Sequence, residues 1–469
     1  MASRNSPNLA LSAKQNNPHS LKATAMMALQ KSLGIFWAVH VESNAVISRL
    51  AKLRHDKLSN LPAQARDKFS RIDHWLLQRI YRSVGQPQIR LMLGDRLEIS
   101  PETGRPVATI VIRDRSTLLS LLFDPEVGFG EAHRDGRIVV DGDLVSALEA
   151  VYRSETEMGS ENWFTGVVSR CMAFAQRNSL HGARQNIHRH YDLSNDFFHL
   201  WLDHQMVYSC AYFAEPSMNL EAAQVAKMDY ICRKLNLKSG ERILDIGCGW
   251  GALALHMAKY YGVSVRGFTI SREQVQWARK RGQQLGLSQQ VEFVEDDYRN
   301  ILGKFDAVVS VGMLEHVGPE RYQAMGRILS KCLGHGGRGL LQCVGRNRAQ
   351  DFSNWTRMRI FPGAYAPSLR QIMNIFEPWD CSILDVENLR HHYARTSQLW
   401  LERFESSANE VGTMFDEEFV RTWRLYLAGT VAGFRVGTLQ LFQIVFARDN
   451  SAQLPRTRAR LCCSSSRAC

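Results

Sequence analysis

Apolar positions along the chain change period several times, and the changes mark its elements. Across residues 21–82 they recur at helical spacing, first over residues 21–50 and again through Ile72-Asp73-His74-Trp75-Leu76-Leu77-Gln78-Arg79-Ile80-Tyr81. The second run is amphipathic with basic neighbours, a pattern that suits a core-facing helix or one lying on a membrane. From Gln88 the period shortens: residues 89–99, a turn at Pro101-Glu102-Thr103-Gly104, and residues 107–112 predict a hairpin. Residues 116–123 return to helix. Residues 1–20 are mostly polar and predict disorder. A smaller N-terminal α/β domain over residues 21–155 and a connector over 156–184 account for this half.

The second half alternates strand and helix. Residues 242–246, 263–268, 291–294, 305–311 and 338–343 read as strands, with helices over 252–261, 271–287 and 320–333, and with last strands at 382–386 and 440–446. Alternation of this kind predicts an α/β fold with a doubly wound sheet, whose ligands sit at the carboxyl ends of its strands. A catalytic domain over 185–450 follows. Residues 346–378, long and aromatic-rich, read as a lid rather than sheet, and residues 451–469 as a solvated tail.

The first strand of that sheet runs into a glycine turn, Ile243-Leu244-Asp245-Ile246-Gly247-Cys248-Gly249-Trp250-Gly251. Glycines at the mouth of a helix let a nucleotide-bearing ligand approach the backbone closely. The dinucleotide fingerprint is G-x-G-x-x-G with an acid roughly 20 positions later. Here the spacing is G-x-G-x-G, and Phe268-Thr269 stand where the acid belongs. A nicotinamide cofactor loses ground and S-adenosylmethionine gains it.

Composition narrows the partners. Among 469 residues the basic side chains exceed the acidic ones to give a net charge of +12, which favours an acidic surface, anionic lipid or nucleic acid. No basic stripe interleaved with aromatics and no motif for base chemistry supports nucleic acid. The cysteines at 171, 210, 232, 248, 332, 343, 381, 462, 463 and 469 form no C-x-x-C pair, so a reducing cytoplasm and no metal site are expected. No run approaches the ~18 apolar residues of a membrane span, and the N-terminus lacks a secretory apolar region, so membrane contact is expected to be peripheral.

Six ordered motifs carry a resemblance: HYDLSNDFF, YSCAYF, ILDIGCGWG, GFTISREQ, DDYRN and SVGMLEHVG. Over roughly residues 185–448 the chain resembles the cyclopropane-fatty-acyl-phospholipid synthases and their mycolic-acid relatives, and PEVGFGEAHRDG extends the likeness into the N-terminal domain. The resemblance implies a class I methyltransferase-like (Rossmann-like) fold. It also implies transfer of a methylene unit from S-adenosylmethionine to the cis double bond of unsaturated phospholipid acyl chains, in a cytoplasmic, peripherally membrane-associated enzyme, with a homodimer possible.

Methyl transfer to an alkene leaves a carbocation, so such a site must exclude water, surround the cation with electron density and remove a proton. The resemblance implies bicarbonate as the base, held by a cysteine, a glutamate, a histidine and a tyrosine; Cys210, Glu315 and Tyr393 match three. The fourth position holds Gln342, whose amide can donate to an anion but cannot become cationic. A late cysteine of the family is replaced by Thr430, to which no catalytic role is assigned. For the cofactor, the resemblance implies Tyr208 and Ser209 over the methionine part and Ile243 to Gly251 around amino acid and ribose. Thr269, Ile270, Ser271 and Gln274 are implied near the ribose, with Tyr298 and Arg299 beside the adenine. Ser271 and Gln274 also fit a capping box. His188 and His190 read as structural or lid residues. Two other readings are a methyltransferase leaving methyl-branched or methylene lipid, or acting on a small molecule, and a lipid-binding protein with a silent methyltransferase domain.

Overall fold

Two sheets organise the chain. The computed structural model describes residues 63–95, 97–158, 193–449, 454 and 458. The helix predicted over 21–50, residues 159–184 of the connector, His188 and His190, and most of the tail lie outside the described residues. From Ile72 onward the described residues fall in one compact unit, and Arg71 and what precedes it in another.

The first sheet has the order β2-β1-β3-β4, with β1 at Arg90–Leu93, β2 at Leu97–Ile99, β3 at Ala108–Ile112 and β4 at Ile138–Gly142. Its hairpin differs from the predicted one. Gly94, at φ +59°, turns the chain inside the run, so β1 pairs antiparallel with β2, Leu91 opposite Ile99. The segment around Gly104 then carries the chain across, and β3 lies parallel to β1, Leu91 opposite Ile110. A glycine in the left-handed region outweighs a continuous β pattern.

Helices cover this sheet. Helix α1 (Ala63–Ser83) buries Leu77, Ile80 and Tyr81 against Ile89, Leu91, Ile110 and Ile112, while Ile72 and Trp75 stay 53% and 57% exposed. Helices α2 (Arg115–Phe123) and α3 (Pro125–Arg134) start on the side chains of Asp114 and Asp124, which accept from Thr117 N and Val127 N. Proline at the first turn of α3 loses no hydrogen bond there. The N-terminal set closes with α4 (Leu144–Met158).

The second sheet has the order β12-β13-β9-β8-β5-β6-β7. Strands β5 (Arg242–Ile246), β6 (Ser264–Thr269), β7 (Val291–Glu295), β8 (Phe305–Val311) and β9 (Leu333–Gly345) run parallel. Antiparallel β12 (Ser382–Asn388) and β13 (Gln440–Ala447) close one edge. The inner strands β5 and β8 are mostly apolar, as burial on both faces requires, whereas β7 alternates buried and exposed positions; the two faces carry separate cores around Ile243 and Val309 and around Leu244 and Leu341. Short α5 (Asn195–His199) and α6 (Leu220–Lys234) precede β5; α7 (Ala252–Tyr261), α8 (Arg272–Gln284) and α9 (Tyr322–Cys332) alternate with the later strands.

Residues 346–378 hold two small helices, α10 (Asn354–Arg359) and α11 (Leu369–Met373). They also contain a two-stranded ladder, β10 (Gln350–Asp351) with β11 (Tyr365–Ala366), so the insertion is not free of sheet as expected. It is fastened to α3: Trp355 Nε1 donates to Glu131 Oε1 at 3.0 Å, Asn354 N to Glu126 Oε2 at 3.0 Å, and Arg359 pairs with Glu131. A Cβ on Gly130 would stand 2.3 Å from the Trp355 ring, so this glycine sets how closely helix and insertion approach.

The hydrophobic pattern assigns no element to residues 387–439, which fold as α12 (Arg390–Ser406), α13 (Ala408–Met414) and α14 (Glu417–Val436). They gather with α5 around a core of Trp201, Trp400 and Trp423 that also takes in Val145 and Leu148 of α4. A boundary at residue 155 therefore divides the sheets but cuts through a shared core. In the tail, Arg458 donates to Asp385 Oδ1 and to Val386 O, a tie the solvated reading does not anticipate. Among the described residues no helix is long and apolar enough to cross a membrane.

Candidate active site

The glycine turn leaves β5 with Gly247, Gly249 and Gly251 at φ +83°, +54° and +84°. Gly247 N and Cys248 N both donate to Phe268 O, at 2.8 and 3.0 Å, which pins the turn to β6. Trp250 is held from outside: its Nε1 donates to Asn195 Oδ1 at 2.8 Å and its ring meets Phe198 edge-on at 5.0 Å. Asn195 and Phe198 thus steady the turn.

A cavity opens at the carboxyl ends of the parallel strands. Its wall includes Tyr208, Ser209, Asp245, Ile246, Gly247, Cys248, Gly249, Trp250, Thr269, Ile270, Gln274, Tyr298 and Arg299. Ile243 and Leu244 lie away from it, in the cores on either side of the sheet. Gly251 caps α7, and a Cβ there would meet Phe293 at 2.6 Å; Ser271 is fully buried as the cap of α8. Only half of the expected capping box forms: Ser271 Oγ accepts from Gln274 N at 3.4 Å, but Ser271 N donates to Thr269 Oγ1 and the Gln274 carbonyl accepts from the Thr269 hydroxyl at 2.8 Å. Thr269 competes for both groups that would complete the box.

The wall also holds Met206, Lys227 and Arg321, which the sequence does not single out, and Asp296, Asp297, Gly312 and His316, which lie in quoted motifs without an assigned role. Lys227 sits on the buried stripe of α6 between Ala223 and Ile231. Met206 has a φ of +59°, which is strain stored in the cavity wall. Asp297 is already quoted in the DDYRN motif, and its carboxylate receives the Arg299 guanidinium in a fork at 2.7 Å on each oxygen.

The cavity suits S-adenosylmethionine. A Cβ on Gly249 or on Gly312 (φ +71°) would meet nothing within 4 Å, so the backbone lies bare where a ligand can rest on it. Asp245 Oδ2 is buried without a hydrogen-bond partner among the described residues, an acceptor suited to the cofactor's amino group.

Val344 links three of the four proposed catalytic side chains, one through its backbone amide and two through the core that its side chain joins. Glu315 sits in a short turn after β8; its Oε1 accepts from Val344 N at 2.6 Å, and its buried Oε2 has no partner among the described residues. Burial raises its pKa to about 7. The Val344 side chain packs in a small core with Cys210 and Tyr393. Cys210 donates to Ala211 O at 3.1 Å, and burial pushes its thiol up, so it stays protonated. Tyr393 stacks on Phe434 at 4.5 Å. Gln342 lies two residues before Val344 on β9 and so on the same face; its Oε1 accepts from Gln443 Nε2 at 2.9 Å across the β9–β13 rung. Thr430 bonds back to Tyr426 O within α14, and the Tyr426 hydroxyl lies 2.8 Å from that of Tyr208. Burial lowers His316 to about 4, keeping it neutral, and Phe361 of the insertion meets its ring edge-on at 5.9 Å.

A model of the mycolic acid cyclopropane synthetase family matches residues 178–444. The chain belongs to this family. It is 37% identical over 359 residues to the cyclopropane-fatty-acyl-phospholipid synthase of Escherichia coli strain K12, covering 75% of this chain and 92% of that one. To a probable fatty acid methyltransferase of Pseudomonas putida it is 33% identical over 389 residues, 79% of this chain and 95% of that one. Among solved structures it is similar to the mycolic acid cyclopropane synthase CmaA1 complexed with SAH and CTAB. The identity is 31% and the TM-score 0.53, over 56% of this chain and 98% of that chain. As a member of the family the protein is an S-adenosylmethionine-dependent methyltransferase of lipid biosynthesis.

Proposed function

We propose that the enzyme adds a methylene unit across the cis double bond of an unsaturated acyl chain carried by a membrane phospholipid, closing a cyclopropane ring. The observation that carries the reading is the buried, half-satisfied Glu315 carboxylate on the amide of Val344, whose side chain joins the small core of Cys210 and Tyr393. Bound S-adenosylmethionine supplies the one-carbon unit. The turn from Gly247 to Trp250 and the Tyr208–Ser209 segment hold it and exclude water. As positive charge develops on the acyl chain, the Tyr393 ring and the ionised Glu315 offer electron density in a site of low dielectric.

Proton removal completes the ring, and the side chains suit bicarbonate, which supplies the proton-accepting oxygen when bound. Glu315 Oε2 would accept its hydroxyl, and the Tyr393 phenol would donate to it, as would the Cys210 thiol once turned from Ala211 O.

One observation favours a second reading. Gln342 is engaged with Gln443 and cannot exchange a proton, so the base is held less firmly and the reaction can stop at a methyl-branched or methylene lipid. The names of the relatives divide in the same way, one a cyclopropane synthase and one a fatty acid methyltransferase.

The N-terminal sheet and its helices are proposed to position the lipid. On α1, exposed Ile72 and Trp75 stand beside exposed Arg79 and Arg82, a combination suited to anionic membrane surfaces. The test is to incubate the full chain with vesicles of unsaturated phospholipid and methyl-labelled cofactor, then separate the acyl esters by gas chromatography and mass spectrometry. A labelled cyclopropane ester supports the first reading and a labelled methyl-branched or methylene ester the second. Absence of label from the lipid overturns both.

A further inference from the structure

The buried stripe of α6 carries a charge that packing alone does not require. Lys227 is only 3% exposed, yet its ammonium reaches the cofactor cavity, where Nζ donates to Ser209 Oγ at 3.2 Å. Asp245, 2% exposed, lines the same cavity with Oδ2 unpartnered. The other cations on the wall are placed differently: Arg299 is locked in its fork on Asp297, and Arg321 is exposed to solvent. Lys227 is therefore the buried cation at the end that Tyr208 and Ser209 close.

We propose that Lys227 is a cofactor-positioning residue that takes the carboxylate of the methionine part of S-adenosylmethionine, while Asp245 takes its ammonium. The inference rests on the assignment of this cavity to S-adenosylmethionine. An ammonium group has three donors, and Ser209 uses one. A buried lysine and a buried aspartate complement a zwitterion that arrives with the opposite order of charges, and recognition needs both signs. Burial lowers the pKa of Lys227 and raises that of Asp245; Asp203, Asp245, Cys210 and Cys232 face the lysine and only partly offset its burial, so a further anion would complete its surroundings. Holding the Tyr208–Ser209 segment does not depend on Lys227, because Gln224 one turn away already donates to Val207 O at 3.3 Å and to Ser209 O at 2.9 Å.

The test is calorimetry on the full chain with two ligands. One is S-adenosylhomocysteine; the other is its analogue without the α-carboxylate, 5′-deoxy-5′-(3-aminopropylthio)adenosine. Lys227→Met should weaken S-adenosylhomocysteine by roughly 10- to 100-fold, the range for a hydrogen bond to a charged group, and leave the analogue nearly unchanged. Lys227→Gln, which keeps a donor for Ser209 without the charge, should behave like Lys227→Met and serves if the methionine variant fails to fold. Equal weakening of both ligands would make Lys227 a structural peg and overturn the proposal. A wild-type chain that binds neither ligand would instead remove the cavity assignment beneath it.

Discussion

Glu315 takes the backbone amide of Val344 on one carboxylate oxygen at 2.6 Å and leaves the other, buried, without a partner among the described residues. The fold thus keeps an acid where it is costly to ionise. Its folded pKa of about 7 lies above the ordinary 4.5, so the native state holds the proton more tightly than the unfolded chain. The stability penalty is absent below about pH 4.5, grows as pH rises, and is complete above about pH 7. Glu315→Gln should then match or exceed wild type in thermal stability at pH 8, by up to about 3 kcal/mol, while losing at least 100-fold in lipid product. Wild-type rate should fall as pH drops through 7. Melting curves from pH 5 to 8 beside product yields decide it; full product from the glutamine variant would sink the catalytic assignment.

Gly249 sits at φ +54° with open space where a Cβ would go. Gly249→Val should weaken S-adenosylhomocysteine at least 100-fold by calorimetry, because the side chain enters the cavity and the left-handed backbone disfavours a β-branched residue. Unchanged affinity would detach the turn from the cofactor.

Replacing Gln342 should have two separable effects. Gln342→His offers a donor that can also carry a proton, so the ratio of cyclopropane to methyl-branched product should stay level or rise. It also removes the partner of Gln443, whose own carbonyl is already unsatisfied, and this should lower stability by about 1–3 kcal/mol. Ester analysis and denaturant titration read the two effects apart; a histidine variant that forms less ring would contradict the first.

The exposed face of α1 predicts membrane behaviour. Trp75→Ala combined with Arg79→Glu should cut sedimentation with anionic vesicles several-fold at low salt and leave S-adenosylhomocysteine affinity intact. Equal sedimentation of variant and wild type would remove this face from lipid contact.

The parallel strands were legible because burial on both faces makes them short apolar runs, and the glycine turn because its spacing is a local property. The hairpin was misread because a single glycine, Gly94, reverses the chain within a continuous β pattern. Helix α12 is missed because it buries polar Thr396 and Ser397 beside Trp400, which blurs its stripe, and α13 because it buries only Val411. Cys210, Glu315 and Tyr393 could be named by resemblance, but not the Val344 amide that holds Glu315, because no sequence displays a backbone contact. Lys227 could not be named from the sequence, because its place on the buried stripe of α6 and its reach into the cavity need the fold.

The three glycines of the turn answer three different demands. At 247 a Cβ would strike Met313 at 2.9 Å, at 251 it would strike Phe293 and Ala278, and only at 249 would it reach into space a ligand uses. A saturation scan of the motif should therefore find all three positions intolerant for unlike reasons: two fail as hinge and as joint between helix and sheet, and one as a window. Invariance across such a motif overstates the number of ligand contacts, and in this chain the surplus is the scaffolding that keeps the window open.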